Sequence, residues 1–177
     1  MNRAQLLMAR FDWVEYRVCR GLNRGAALRW VRLPFRVASR LGDGILWYVL
    51  VALLPLLYGR AGLRTALVMA IAGAAGLIVY KGLKSTLVRE RPFIRYPAIT
   101  QAMPPLDRYS FPSGHTLHAV SFTMLAVDKF PELGWVLIPI ASLIAASRVV
   151  LGLHYPSDVL AGGAIGAALA LVAMNFV

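Results

Sequence analysis

Three short runs of this sequence hold the residue types that phosphate chemistry uses. The first, residues 84–92, sets Lys84 and Arg91 seven positions apart. On a helix that spacing places both cations on one face, two turns apart, able to bracket a single polyanion before Pro92 ends the regular run. The second, residues 111–115, reads Phe-Pro-Ser-Gly-His and is followed at once by apolar residues. Gly114 lets the backbone approach a ligand, and the unpaired amides of a helix start favour an oxyanion. Ser113 can cap that helix or hold a phosphate oxygen, and His115 can donate a proton from its first turn. The third run, residues 147–158, contains Arg148, His154 and Asp158 between two apolar stretches, where such groups are costly unless they pair or serve a function. Pro156 and Ser157 predict a helix start that puts Asp158 in a first turn, accepting from one ring nitrogen of His154. That bond would fix the tautomer and free the other nitrogen as a nucleophile. Each run has an ordinary reading as well: a basic helix cap, a capped helix start, a buried Arg–Asp pair. Their coincidence outweighs it. Three cations, oxyanion donors and two histidines are an inventory for phosphoryl transfer through a covalent intermediate.

The elements that must position these groups follow from composition. Of 177 residues, 59% are hydrophobic and 15% charged, yet 19 Lys and Arg against 8 Asp and Glu leave a net charge of +11. The mean hydropathy is +0.64. Together these exclude a disordered chain, a secreted disulfide scaffold and an ordinary cytosolic enzyme. The single cysteine, Cys19, permits no internal disulfide. Charge-free stretches cover residues 44–59, 65–80, 110–127, 133–147 and 159–177. A spanning helix needs about 20 apolar residues, and Arg60, Arg64 and Lys81 can snorkel to extend neighbouring runs. The pattern predicts an all-α, multi-pass transmembrane bundle of about five short spans. Without an internal repeat or a linker, residues 1–177 read as one domain, a basic segment over 1–43 and a transmembrane core over 44–177. Gly73, Gly76, Gly162 and Gly166 are expected at close helix contacts in lipid.

Residues 1–43 carry nine Arg, two Asp and one Glu, with no apolar run long enough for a signal peptide core. Leu7, Phe11, Val14, Val18 and Leu22 share one helical face, and Arg3, Arg10, Arg17 and Arg24 recur along its flank. The pattern predicts an amphipathic helix in the interface, its guanidinium groups among anionic lipid headgroups. A second basic segment, residues 29–40, interleaves arginines with Trp30, Leu33 and Phe35. In a membrane-crossing chain lipid headgroups, not nucleic acid, are its expected partner. Two spans separate this region from the basic loop at 81–115, so both lie on one side, which the positive-inside rule makes cytoplasmic.

The three runs, KxxxxxxRP at 84–92, PSGH at 112–115 and SRxxxxxHxxxD at 147–158, resemble the signature motifs of the type 2 phosphatidic acid phosphatase (PAP2) superfamily. That superfamily includes membrane lipid phosphatases and the vanadium haloperoxidases. All three motifs are complete and in family order, while residues 1–80 match none. The resemblance implies that His154 attacks phosphorus to form a phosphohistidine, oriented and supported by Asp158. It implies that His115 protonates the leaving group and then activates water. Lys84, Arg91, Arg148, Ser113 and the Gly114 amide would hold the phosphate oxygens. No cofactor and no metal are implied, and the His115 and His118 pair has no carboxylate obviously beside it. The expected activity is removal of a terminal phosphate from phosphatidic acid, phosphatidylglycerophosphate, a polyprenyl diphosphate or a polyprenyl-linked sugar phosphate, in a bacterial plasma membrane. A lipid phosphotransferase would use the same nucleophile, and a non-catalytic lipid-phosphate binding or transport protein would tolerate loss of His154. Many bacterial members have three spans before the first motif and a periplasmic site. Two spans and a basic segment stand here instead, in keeping with a cytoplasmic-facing site.

Overall fold

Two glycines decide how the first half of the chain bends. The computed structural model describes residues 3–177, with side chains from Arg10 onward. Helix α1 covers Arg3–Gly25 and α2 covers Arg29–Arg40. A π-helical turn, Leu41–Ile45, follows, in which Gly44 takes φ 128°. Helix α3, Leu46–Thr86, then runs for 41 residues but is broken at Gly59, where φ is 57° and ψ −130°. Both backbone states suit glycine because a Cβ would clash. The two arms of α3, residues 46–58 and 60–86, meet the same partner. Trp47 of the first contacts the Phe122 ring edge-on at 5.5 Å, and a Cβ on Gly73 of the second would come within 2.7 Å of that ring. The remaining helices are α4 (Pro92–Arg95), α5 (Gly114–Lys129), α6 (Gly134–Val150) and α7 (Pro156–Ala173).

Among the described residues, three helical stretches are long and apolar enough to cross a membrane: Arg29–Thr86, Pro131–Val150 and Pro156–Phe176. Five were expected. The first stretch absorbs two charge-free runs into one element of 58 residues, divided only at its glycines. The expected third span, α5, has 16 residues, or about 24 Å at the helical rise, shorter than a hydrocarbon core of about 30 Å.

Helix α5 is nonetheless the centre of the bundle, touching α3, α6 and α7. Leu54, Met69, Phe122, Leu125, Leu137 and Ile144 form the main apolar core around it. Its contact with α7 is made by backbone. A Cβ on Gly162 would fall 2.4 Å from the Ser113 carbonyl oxygen, and one on Gly166 would fall 2.3 Å from that of Leu117. Small residues every fourth position let two helices in lipid approach this closely, where dispersion replaces the hydrophobic effect as the source of cohesion.

The apolar stripe of α1 is exposed, as expected, at Phe11, Val14, Val18 and Leu22. Leu7 and Arg3 lie outside the residues whose side chains are described. The neighbouring face, about 100° round the helix, is a surprise, because Glu15, Cys19 and Asn23, four apart, are all buried. Asn23 donates to the Thr100 and Val150 carbonyls, both at 2.9 Å, and accepts from the Thr100 amide at 2.7 Å. Helix α2 lies against α6, and its Arg36 donates to the Ala102 carbonyl at 2.6 Å. Helix α1 therefore has two functions: its apolar stripe faces outward and its polar stripe braces the loops around residues 100 and 150.

The α5–α7 contact gives a direct test. Gly166→Ala forces two backbones apart and should cost about 1–3 kcal/mol. Gly163→Ala, whose Cβ would meet only ordinary contacts at 3.8 Å, should be neutral or stabilising by up to about 1 kcal/mol through helix propensity. Thermal unfolding in detergent should separate the two variants in that order.

Candidate active site

The chain brings the three motifs together from five places. Lys84 lies in the last turn of α3, Arg91 caps α4, Gly114 and His115 open α5, Arg148 lies in the last turn of α6, and His154 occupies the loop before α7. All six line one cavity of about 420 Å³. Ser113 and Asp158 stand behind its wall. Ser113 caps α5: its Oγ is 2.9 Å from Thr116 Oγ1 and accepts the Thr116 amide at 3.4 Å. It thereby fixes the helix start whose first residue, Gly114, faces the cavity.

Lys84 and Arg91 do not share a helical face. Helix α3 ends at Thr86, and the next five residues leave the helix before Pro92 starts another turn. The two cations meet instead on Asp107. Lys84 Nζ donates to both Asp107 carboxylate oxygens at 2.6 Å and to the Tyr109 carbonyl at 3.0 Å. Arg91 Nη2 donates to Asp107 Oδ1 at 2.8 Å and its Nε to the Asp107 carbonyl at 3.0 Å. Burial pushes the Asp107 carboxyl up, but Lys84 and Arg91 outweigh it and hold the group below the usual carboxylate range.

His154 is buried and tightly placed. Its backbone amide and that of Leu153 both donate to the Arg148 carbonyl at 3.0 Å, a turn permitted by Gly152 at φ 76°. Arg91 Nη1 donates to the Leu153 carbonyl at 2.7 Å and sits 3.1 Å from His154 Nε2. A guanidinium only donates, so Nε2 presents its lone pair there and the hydrogen of the neutral ring resides on Nδ1. Burial, with Arg148, Arg91 and Lys84 nearby, holds this histidine well below its ordinary range. The ring is neutral at pH 7.

The expected hydrogen bond from His154 to Asp158 is absent. Nδ1 stands 3.7 Å from Asp158 Oδ2, too far for a hydrogen bond, and makes none with any described residue. The reason lies at the start of α7. Asp158 reaches back to accept the Tyr155 amide at 2.8 Å, closing the first turn of α7. Its other oxygen accepts from Arg89 Nη1 at 2.6 Å. Arg89 also donates to Ser157 Oγ at 2.7 Å and to Glu15 of α1. Glu15 in turn accepts the Ser157 amide at 2.9 Å.

Arg148, almost fully buried, donates to Ser39 of α2, and its Nε has no protein partner. His115 Nε2 lies 2.6 Å from Asp43 Oδ1 in the π-helical turn. His118 is spent on structure, its two ring nitrogens 2.9 Å from the Gly114 carbonyl and 3.2 Å from that of Gly73. No group of three potential metal ligands occurs among the described residues.

Asp43, Asp107, Arg89 and Glu15 were not singled out in the sequence. Only Asp43 left a signal there: an acid between two glycines at the head of a charge-free run. The other three sit among residues of ordinary polar or basic character and acquire their partners only through the fold.

The sequence profile of the PAP2 superfamily matches residues 61–177. The chain is 32% identical over 117 residues to the undecaprenyl-diphosphatase BcrC of Bacillus subtilis (strain 168), covering 66% of this chain and 60% of that protein. It is 32% identical over 142 residues to decaprenylphosphoryl-5-phosphoribose phosphatase of Mycobacterium tuberculosis (strain ATCC 25618 / H37Rv), covering 77% of this chain and 75% of that one. The fold superposes on the PAP2 type phosphatidylglycerolphosphate phosphatase of Bacillus subtilis with a TM-score of 0.78 and 22% identity, over 94% of this chain and 85% of the other. For LpxE of Aquifex aeolicus the TM-score is 0.77 at 22% identity, over 90% and 94%. The motifs gathered in one cavity, the profile match and the shared helical fold together make this chain an integral membrane protein of the PAP2 superfamily.

Proposed function

We propose that the chain is a metal-independent lipid phosphatase that releases a terminal phosphate through a phosphohistidine on His154. The observation that carries this reading is that His154 lines one cavity with Lys84, Arg91 and Arg148, its Nε2 lone pair turned toward the Arg91 guanidinium that a phosphate would engage. The same cavity is also lined by Tyr48, Val51, Ala74 and Leu77, a mixture of charged and apolar groups that suits an amphiphile. The two sequence relatives are named for polyprenyl-linked phosphates, so such lipids head the list of substrates.

In this mechanism phosphate oxygens replace the Asp107 carboxylate on Lys84 and Arg91, while Arg148 Nε and the Gly114 amide hold the rest. Nε2 of His154 attacks phosphorus as the leaving oxygen departs with a proton from His115. Asp158 acts at 3.7 Å through its charge and through the turn it caps. The chain crosses the membrane five times on this reading, with the arms of α3, then α5, α6 and α7, and the site faces the cytoplasm.

His154→Ala should lower phosphate release by at least about three orders of magnitude. The assay is free phosphate from phosphatidic acid, phosphatidylglycerophosphate and undecaprenyl diphosphate in detergent with a chelator present. Activity retained in the variant sinks the nucleophile, and activity lost with the chelator sinks metal independence.

Asp107 gives a pH test. Its carboxyl is lowered in the fold, so its contribution is complete above the unfolded value of about 4 and disappears as pH falls through the folded one. Asp107→Asn should therefore melt below wild type at pH 7, with the gap closing under acid conditions below about pH 4.

For sidedness, Ala27→Cys and Gln101→Cys, each in a Cys19→Ser background, should resist an impermeant maleimide in intact cells and react after permeabilisation. Labelling of both in intact cells places the site outside.

A further inference from the structure

We infer that Asp43 is the positioning residue of the acid–base step: it holds the Nε2 hydrogen of His115 and stabilises that ring's protonated form. The inference rests on the phosphatase reading above. Asp43 lies outside residues 61–177, the part matched by the superfamily profile, and belongs to none of the three motifs.

The local backbone is built to deliver this carboxylate. Asp43 sits in a π-helical turn within a long apolar element, the kind of helix defect that gathers at functional sites. On one side Gly42 leaves no room for a side chain: a Cβ there would come within 2.9 Å of His115 Cδ2 and 2.8 Å of Ile144 Cγ2. On the other side Gly44 takes a backbone state that favours glycine, φ 128°. An acid at this depth is costly unless it is used. Its other near partner, Arg40, is 3.5 Å away and mostly exposed, which leaves His115 at 2.6 Å as the principal one.

A carboxylate only accepts, so Nε2 of His115 carries hydrogen in both protonation states. Nδ1 is then the nitrogen that exchanges a proton, and it has no hydrogen-bond partner among the described residues. Lys84, Arg91 and Arg148 share the cavity and oppose a fourth positive charge. Asp43 offsets them. In the first step the bond from His154 Nε2 to phosphorus forms and the bond to the leaving oxygen breaks. That oxygen takes the Nδ1 proton, and His115 becomes neutral with its Nε2 hydrogen still on Asp43. In the second step Nδ1 removes a proton from water, the water oxygen bonds phosphorus, and the bond to His154 breaks. Phosphate leaves and the His115 imidazolium is restored.

The test compares leaving groups. An alkoxide needs a proton to depart and a nitrophenolate does not. kcat/KM reports the chemistry only up to that departure. Asp43→Asn should therefore lower kcat/KM for phosphatidic acid by about 10- to 100-fold, a share of what general acid catalysis supplies. For p-nitrophenyl phosphate kcat/KM should fall less than about threefold, while kcat falls and acid-labile phosphoenzyme accumulates because the water step is slowed. Equal losses on both substrates, at an unchanged melting temperature, make Asp43 a mere brace between helices and overturn the proposal. If Asp43→Asn does not survive purification, Asp43→Ser carries the same comparison. A wild-type chain that releases phosphate from neither substrate defeats the phosphatase reading, and this inference falls with it.

Discussion

Positive charge held among apolar helices is the constraint on which the rest of this structure depends. Lys84, Arg91 and Arg148 are all nearly buried, and burying a cation without a partner is far more costly than burying an apolar side chain. The chain answers with carboxylates from distant segments. Asp107 in the long loop takes Lys84 and Arg91 together. Asp158 and Glu15 take Arg89, which lies at the cavity's back wall rather than in it. Arg148 has one hydroxyl partner and a buried Nε with none among the described residues, which makes it the least compensated of the three and the best prepared to receive an anion.

This compensation explains why the site is spread over nearly the whole chain. The motifs supply the cations and both histidines, but the groups that hold them come from α1, α2, the π-helical turn and the 97–112 loop. Glu15, Ser39, Asp43 and Asp107 each touch a motif residue or its immediate neighbour. A catalytic centre of this type is a negotiation between charge and burial, and its outer partners settle the geometry.

Much of this was legible in the sequence, for physical reasons. Composition and charge-free runs identify a helical membrane chain because the bilayer filters for them. The motif residues could be named because phosphate handling demands those side chains at a helix start or end. The interhelical glycines could be named because close approach in lipid requires them. Other features were not legible. The number of spans turned on how glycine breaks divide residues 29–86 and on the shortness of α5, which composition does not reveal. The His154–Asp158 hydrogen bond does not form because the Tyr155 amide and the Arg89 guanidinium each take one oxygen of the same carboxylate at short range. The spacing of Lys84 and Arg91 allows a shared helical face, but four residues of loop intervene between the end of α3 and Arg91. The buried face of α1 is not legible because Glu15, Cys19 and Asn23 find their partners only in segments more than 70 residues away.

The polar stripe of α1 bears on the order in which the molecule comes together. The partners of this helix at Arg89, Thr100, Val150 and Ser157 all lie more than 70 residues further along the chain. Glu15 and Asn23 can make these bonds only when those later segments are in place. Helix α1 is therefore held by the completed loops around residues 90, 100 and 150 and not by its nearest neighbours in sequence.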